Sequence, residues 1–316
     1  KKNDTIIMPA VNFIAAYSMA SLLGAKIYLA DVNPSTGQMT PKTLMECIKR
    51  FKLKKIKVIL TMYMGGFPEN ILEFYKIKKK YKSILIEDAC HAFGAQYSIN
   101  NKNYKIGSCS HSDISTFSLH PLKPITTGEG GILSTNNKKF YNIAKTLRSH
   151  GIIKNKKKHW DYNVTNLGFN YRISDINCAL GISQLKKINF FLNKRRKIYY
   201  YYKNKLDGFK NLISFPKYNN LNKSTYHLII INIKFKNLLE KDRFINYLLK
   251  KKIFLQFHYK PITNFLVYRG KKKNLFSSME YYNSSISIPI FHRISKKEID
   301  YTIRTIKNYI SSHKSD

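Results

Sequence analysis

The run Ser115-Thr-Phe-Ser-Leu-His-Pro-Leu-Lys-Pro-Ile-Thr-Thr-Gly-Glu-Gly-Gly131 places Lys123 between two prolines, ahead of a loop rich in threonine and glycine. Taken alone, one lysine among 56 basic residues reads as a solvated surface amine. Its setting reverses that reading, because a lysine at a strand end beside Pro121 and Pro124 is fixed in place. Backbone and hydroxyl donors of the following loop, with Ser118 before it, could hold an anion.

A second run, Ile84-Leu-Ile-Glu-Asp-Ala-Cys-His-Ala-Phe-Gly94, is an apolar strand that ends in two carboxylates, with His91 three residues beyond Asp88. Ligand sites in α/β sheets lie at the carboxyl ends of strands. Separately, Asp88 reads as a turn cap and His91 as a satisfied core histidine. Together with Lys123 they form the set that pyridoxal-phosphate chemistry requires: an amine, a carboxylate and an imidazole.

Such residues need a frame to hold them, and the chain supplies an α/β pattern. Apolar bursts at residues 5–8, 26–30, 57–61, 83–87, 112–118 and 131–134 read as strands, and segments 13–23, 41–51 and 71–81 read as the helices between them. The expected fold is a mostly parallel sheet flanked by helices, followed by a smaller α+β domain. After Arg172 a long helical stretch, 174 to about 206 with a break near Asn189, looks like the bridge, so the division is drawn as 1–188 and 189–316. In the second part, 226–233, 242–251 and 253–257 form a small α+β unit. The last helix opens with Ser295 and Glu298 in capping-box spacing and carries Ile299, Ile303, Ile306 and Ile310 on one face, which marks core.

Composition narrows the classes. With 316 residues and 43% hydrophobic content the chain can bury a core, and it has no apolar run of the roughly 20 residues that cross a bilayer. Four scattered cysteines without CxxC spacing suggest neither a zinc site nor disulfides, which fits a cytoplasmic protein. The net charge of +38 raises a nucleic-acid-binding alternative. The lysines are, however, spread along the whole chain with much Asn, Ile and Tyr, as expected of AT-rich coding sequence, and no nucleic-acid or membrane partner is expected.

These motifs resemble the DegT/DnrJ/EryC1/StrS family of pyridoxal-phosphate (PLP) sugar aminotransferases, across nearly the entire chain. Glu87 to Ala92 resembles the family's EDAAHA or EDAAQA element, Ser118 to Gly131 its SFHPxKxITTGEGG element, and Leu167 to Leu185 its GxNxRxxxxxAALGxxQL element. The resemblance implies the aspartate aminotransferase-type fold. It places Lys123 on the Schiff-base lysine and Asp88 on the aspartate that pairs with the pyridine nitrogen. It puts His91 near the ring hydroxyl, Phe13 where an aromatic stacks on the ring, and Ser118 at the cofactor phosphate. Asn170 matches an asparagine that reaches the phosphate from the neighbouring subunit, so a homodimer with shared sites is implied. Arg172 serves a substrate carboxylate or a structural ion pair. Tyr63 borders the cofactor or is simply packed, and Trp160 with the basic run 154–158 reads as a solvated loop. Family members carry a phosphate-cradling turn before the segment matching residues 5–8, so an N-terminally incomplete copy is expected.

Within the family the nearest resemblance is to the branch serving pseudaminic-acid biosynthesis, on Arg148 to Ile152, Phe257 to Pro261 and Tyr281 to Ile290. It implies L-glutamate as amine donor and a UDP-linked 4-keto-6-deoxy-N-acetylhexosamine as acceptor, with His258 and Tyr259 toward the sugar. Another nucleotide-sugar 4-aminotransferase is the alternative. A sugar dehydratase on the same fold would have histidine in place of Lys123.

Overall fold

Strands made of Ile, Val and Leu, apolar on both faces, belong in a parallel sheet covered by helices. The computed structural model, which describes residues 1–268 and 275–313, has that form. In chain order its elements are β1 (Thr5–Pro9), α1 (Ala15–Leu22), β2 (Lys26–Ala30), α2 (Pro41–Arg50), β3 (Val58–Met62), α3 (Ile71–Tyr81), β4 (Ile84–Asp88) and the pair β5 (Gln96–Ile99) and β6 (Lys102–Lys105). Next come β7 (Ile114–Ser118), β8 (Gly131–Ser134), α4 (Lys138–Leu147), β9 (Ile152–Lys154), β10 (Tyr162–Val164) and α5 (Asp175–Leu185). The remainder comprises α6 (Ile188–Leu206), β11 (Ile213–Ser214), β12 (Ile229–Ile233), α7 (Leu238–Lys250), α8 (Phe276–Ser284), β13 (Ser285–Ile288) and α9 (Lys296–His313).

The main sheet has six strands in the order β2-β1-β3-β4-β7-β8. All neighbours run parallel except β8, which is antiparallel to β7. Alternate side chains feed two cores: Ile7, Ile59 and Leu85 pack with Leu44, Ile48 and Phe74 on one face, while Met8, Leu29 and Leu60 pack with Tyr17 and Ile262 on the other. Helix α2 shows why such segments fold locally. Thr40 caps it in a reciprocal box with Thr43, Pro41 starts it, and Lys49 and Arg50 occupy its last turn.

A further core gathers Tyr202 and Leu206 of α6, Ile229 and Ile231 of β12, Phe244 of α7 and the isoleucine stripe of α9, together with Phe67. The Ser295–Glu298 box is formed as expected. The helical bridge breaks close to Asn189, at Lys186–Lys187. The local reason is that Lys186 caps α5 and Lys187 leaves helical geometry with ψ of 2°. Residues 253–257 touch a sheet only through an isolated bridge between Gln256 and Ser287.

Buried hydrogen bonds tie this core to the main sheet. Thr225 Oγ1 donates to the carbonyl of His91 at 2.5 Å, and Ser224 Oγ to that of Gly66 at 2.8 Å. Gly66 is needed for the approach: its φ is +89°, and a Cβ there would lie 1.8 Å from Thr225 Oγ1. Among the described residues no helix is long and apolar enough to cross a membrane, and no group of three or more His, Cys, Asp or Glu could hold a metal.

Candidate active site

Register brings the chemistry to one end of the sheet. Asp88, the last residue of β4, pairs with Met62 at the end of β3 and with Thr116 of β7, so Ser118 follows at the same edge. From Ser118 the chain enters the lysine loop. Its turn is held by Lys123 N–H donating to the His120 carbonyl at 2.9 Å, and Thr126 Oγ1 closes its base on the Leu119 carbonyl at 2.9 Å. Lys123, Asp88, His91, Ser118, Phe13, His258 and Tyr259 all line one cavity of about 1270 Å³.

The charges there influence one another. Burial raises the Asp88 pKa, and hydrogen bonding from Cys90, whose amide donates to Oδ1 at 3.2 Å, together with the charge of Lys123, works against that rise. Burial lowers the Lys123 pKa while Cys90 and Asp88 counter it. The Cys90 thiol is pushed up by burial and by Asp88. Burial first, then Lys123 and His258, holds the His91 pKa well below its ordinary value. His258 falls to about 4 by burial and Lys123, with its Nδ1 hydrogen-bonded to Ser287 Oγ at 2.8 Å.

His91 is therefore neutral, and its tautomer follows from its partners. The Gly65 amide donates to Nδ1 at 3.3 Å, so the ring proton sits on Nε2 and is donated to Tyr259 Oη, 3.0 Å away. Tyr259 keeps its own hydroxyl proton to donate into the cavity, and Phe13, half exposed, packs against its ring at 5.8 Å.

Asn170 and Arg172 are exposed on the chain's surface and do not line this cavity. Tyr63 is a packed tyrosine: it is buried and donates to Glu87 Oε1 at 2.6 Å. Trp160 is exposed beside His159, in keeping with a solvated loop. Three residues at or beside the cavity escaped the sequence reading. Asn12 is fully buried and favours the ionised form of Asp88; its position just past β1 was the available signal. His227 lines the wall with its ring 4.4 Å from that of His91, and was readable as a histidine opening an apolar run. Arg195 lines the wall from α6.

The donor set fits a flat, anionic pyridine phosphate. The lining offers a carboxylate, an amine, an aromatic ring and a strand-end hydroxyl in one cavity.

Comparison with known proteins gives the family. The family model described as the DegT/DnrJ/EryC1/StrS aminotransferase family matches residues 1–307. A UDP-4-amino-4,6-dideoxy-N-acetyl-beta-L-altrosamine transaminase of Campylobacter jejuni is 34% identical over 307 residues, covering 96% of this chain and 79% of the relative. Among solved structures, PseC of Helicobacter pylori, an aminotransferase involved in the biosynthesis of pseudoaminic acid, superposes with a TM-score of 0.86 at 27% identity, covering 98% of this chain and 81% of that one. A sugar aminotransferase of Streptococcus pneumoniae in its PMP form shares the fold with a TM-score of 0.87 at 24% identity, covering 98% of this chain and 82% of its own. The chain belongs to the DegT/DnrJ/EryC1/StrS aminotransferase family, whose amino transfer depends on pyridoxal 5′-phosphate.

Proposed function

We propose that this protein moves the amino group of L-glutamate to C4 of a UDP-linked 4-keto-6-deoxy-N-acetylhexosamine, a step of pseudaminic-acid biosynthesis. The observation that carries the reading is the meeting of Lys123, Asp88 and the His91–Tyr259 pair in one cavity, in a chain whose relatives include a transaminase of that sugar. Bound pyridoxal phosphate supplies a conjugated ring that takes up the electron pair released at the reacting carbon. Lys123 would attach the cofactor and, when free, would take the proton from the donor's Cα in one half-reaction and deliver one to the sugar's C4 in the other. Burial serves this, since a lowered pKa leaves more of the amine neutral. Asp88 keeps a proton on the ring nitrogen. His91, through Tyr259, orients a hydroxyl donor for the ring oxygen, Phe13 flanks the ring face, and Ser118 meets the phosphate. His258 and Tyr259 face the sugar, and Arg172, on the same exposed stretch as Asn170, would meet a substrate carboxylate only in the cavity of a partner copy.

The test of the substrate is a competition between the L-arabino ketone and its D-xylo epimer, followed by 2-oxoglutarate release and the configuration of the amino sugar formed. The L-arabino ketone is expected to be preferred by at least about tenfold in kcat/KM, the cost of misplacing the methyl group on the inverted C5. Preference for the epimer, or for a dTDP-linked sugar, refutes the pseudaminic assignment and leaves an aminotransferase.

The reading includes two units meeting at residue 188, the first binding the cofactor, and a second copy of the chain. The stretch that carries Asn170 and Arg172 exposes Leu167, Phe169, Tyr171, Ile176 and Ile182, an apolar surface too continuous to face water. Burying it against a partner would bring Asn170 to the partner's cavity. If so, mixing inactive Lys123→Ala and Asn170→Ala proteins under subunit exchange restores about a quarter of wild-type activity, because half the dimers are mixed and each has one intact site. Confirmed exchange without recovery sinks the shared site. The four free cysteines suit a reducing cytoplasm.

A further inference from the structure

Helix α6 begins its buried face with a cation. Arg195 stands in helical step with Ile198, Tyr199, Tyr202 and Leu206, all of them buried. It is 7% exposed, and no carboxylate lies within ion-pair distance of it among the described residues. Its Nη1 donates to the carbonyl oxygens of Tyr226 at 3.5 Å and His227 at 3.1 Å; Nε and Nη2 have no hydrogen-bond partner among the described residues.

Burial lowers the Arg195 pKa to about 10, which still leaves it charged at neutral pH. A buried charge answered only by two neutral carbonyls is costly until an anion completes its shell. Arg195 lines the same cavity as Lys123, and the histidine whose carbonyl it binds feels the charge of both. That histidine, His227, is 6% exposed and its Nδ1 has no partner among the described residues. A guanidinium without an acidic partner and a histidine nitrogen without any thus adjoin each other in the wall of the cavity.

We infer that Arg195, with His227 beside it, seats a carboxylate of the amine donor. This deepens the proposed function and rests on its premise that a dicarboxylic amino acid gives up the amine. A guanidinium fork matches a carboxylate in two parallel hydrogen bonds. A nucleotide diphosphate is the other anion at hand, and it fits this depth poorly: it carries more charge than one guanidinium offsets. The exposed cations Lys252 and Arg293 line the same cavity and can meet a diphosphate while it stays hydrated.

The experiment measures binding of glutarate, a dicarboxylate without an amine, and of UDP to the PLP-loaded protein by calorimetry. Wild type is compared with Arg195→Gln and Arg195→Lys, with folding checked by circular dichroism. Arg195→Gln should weaken glutarate about 30-fold, the effect of losing a charge-assisted pair, and leave UDP within about twofold. Arg195→Lys keeps the charge but not the fork, and should lose about fivefold for glutarate alone; it decides the matter if the glutamine variant does not fold. In steady state the KM for glutamate should rise while the KM for the sugar stays. The inference is overturned if wild type does not bind glutarate, if both variants keep glutarate within about twofold, or if UDP is the ligand that weakens. A wild type that binds glutarate through Arg195 yet aminates no UDP-keto sugar refutes the substrate reading and leaves this one standing.

Discussion

Lys123→Ala is expected to lower amine transfer by about 10⁴-fold or more, since on the proposed function it removes both the attachment point and the proton carrier in one substitution. The loop that holds Lys123 is closed by bonds from its own backbone amide and from Thr126, none of which uses the side chain, so the variant should fold. Borohydride treatment of the wild type should fix the cofactor to the peptide containing Lys123, and the variant should retain none after denaturation. A trapped peptide containing any other lysine would falsify the assignment. The substitution also removes one of the two causes that hold His258 near 4, so the titration of that ring should move upward toward its ordinary value.

Asp88→Asn is the second large effect. Asparagine keeps an oxygen for the Cys90 amide and almost the same volume, and so the sheet edge should stand. What disappears is a negative charge at the bottom of the cavity, where low dielectric magnifies it. Without it the ring nitrogen is no longer held protonated, and turnover should fall by about 10²–10³-fold, with cofactor still present by absorbance and a thermal midpoint close to wild type. The half-reaction with glutamate, followed by its absorbance change, should slow by the same factor. Wild-type rates in a folded, cofactor-loaded variant would end the argument for an electronic role.

Much of this frame could be read before any coordinates. The strands β1 to β4 announce themselves as unbroken apolar runs, because a parallel sheet is covered on both faces, and their ends then locate Asp88 and Ser118. Lys123 was legible from its prolines, and the stripe of α9 from its spacing. Shorter pieces escaped. Strands β5, β6, β9 and β10 span only three or four residues each, too few for a period to emerge, and β13 is tied to β12 by long-range pairing. Asn12 and His227 gain their meaning from contact with segments far away in sequence, which spacing does not carry. Arg195 is a different case. Its place on the apolar stripe of α6 could have been noticed, but it was hidden among the other basic residues of a chain in which lysine and arginine are everywhere.

The bonds joining the second core to the sheet decide how substrates come and go. Swinging that core outward as a hinged jaw would break Thr225 to His91 and Ser224 to Gly66 together, a net loss of about 0.5–1.5 kcal/mol each once water replaces them. The jaw is latched. On the proposed function, both substrates would enter in turn past the exposed Phe13 into a cavity already shaped before either arrives. Ordering the protein around its ligand then costs little, and discrimination falls to what that standing shape refuses to admit.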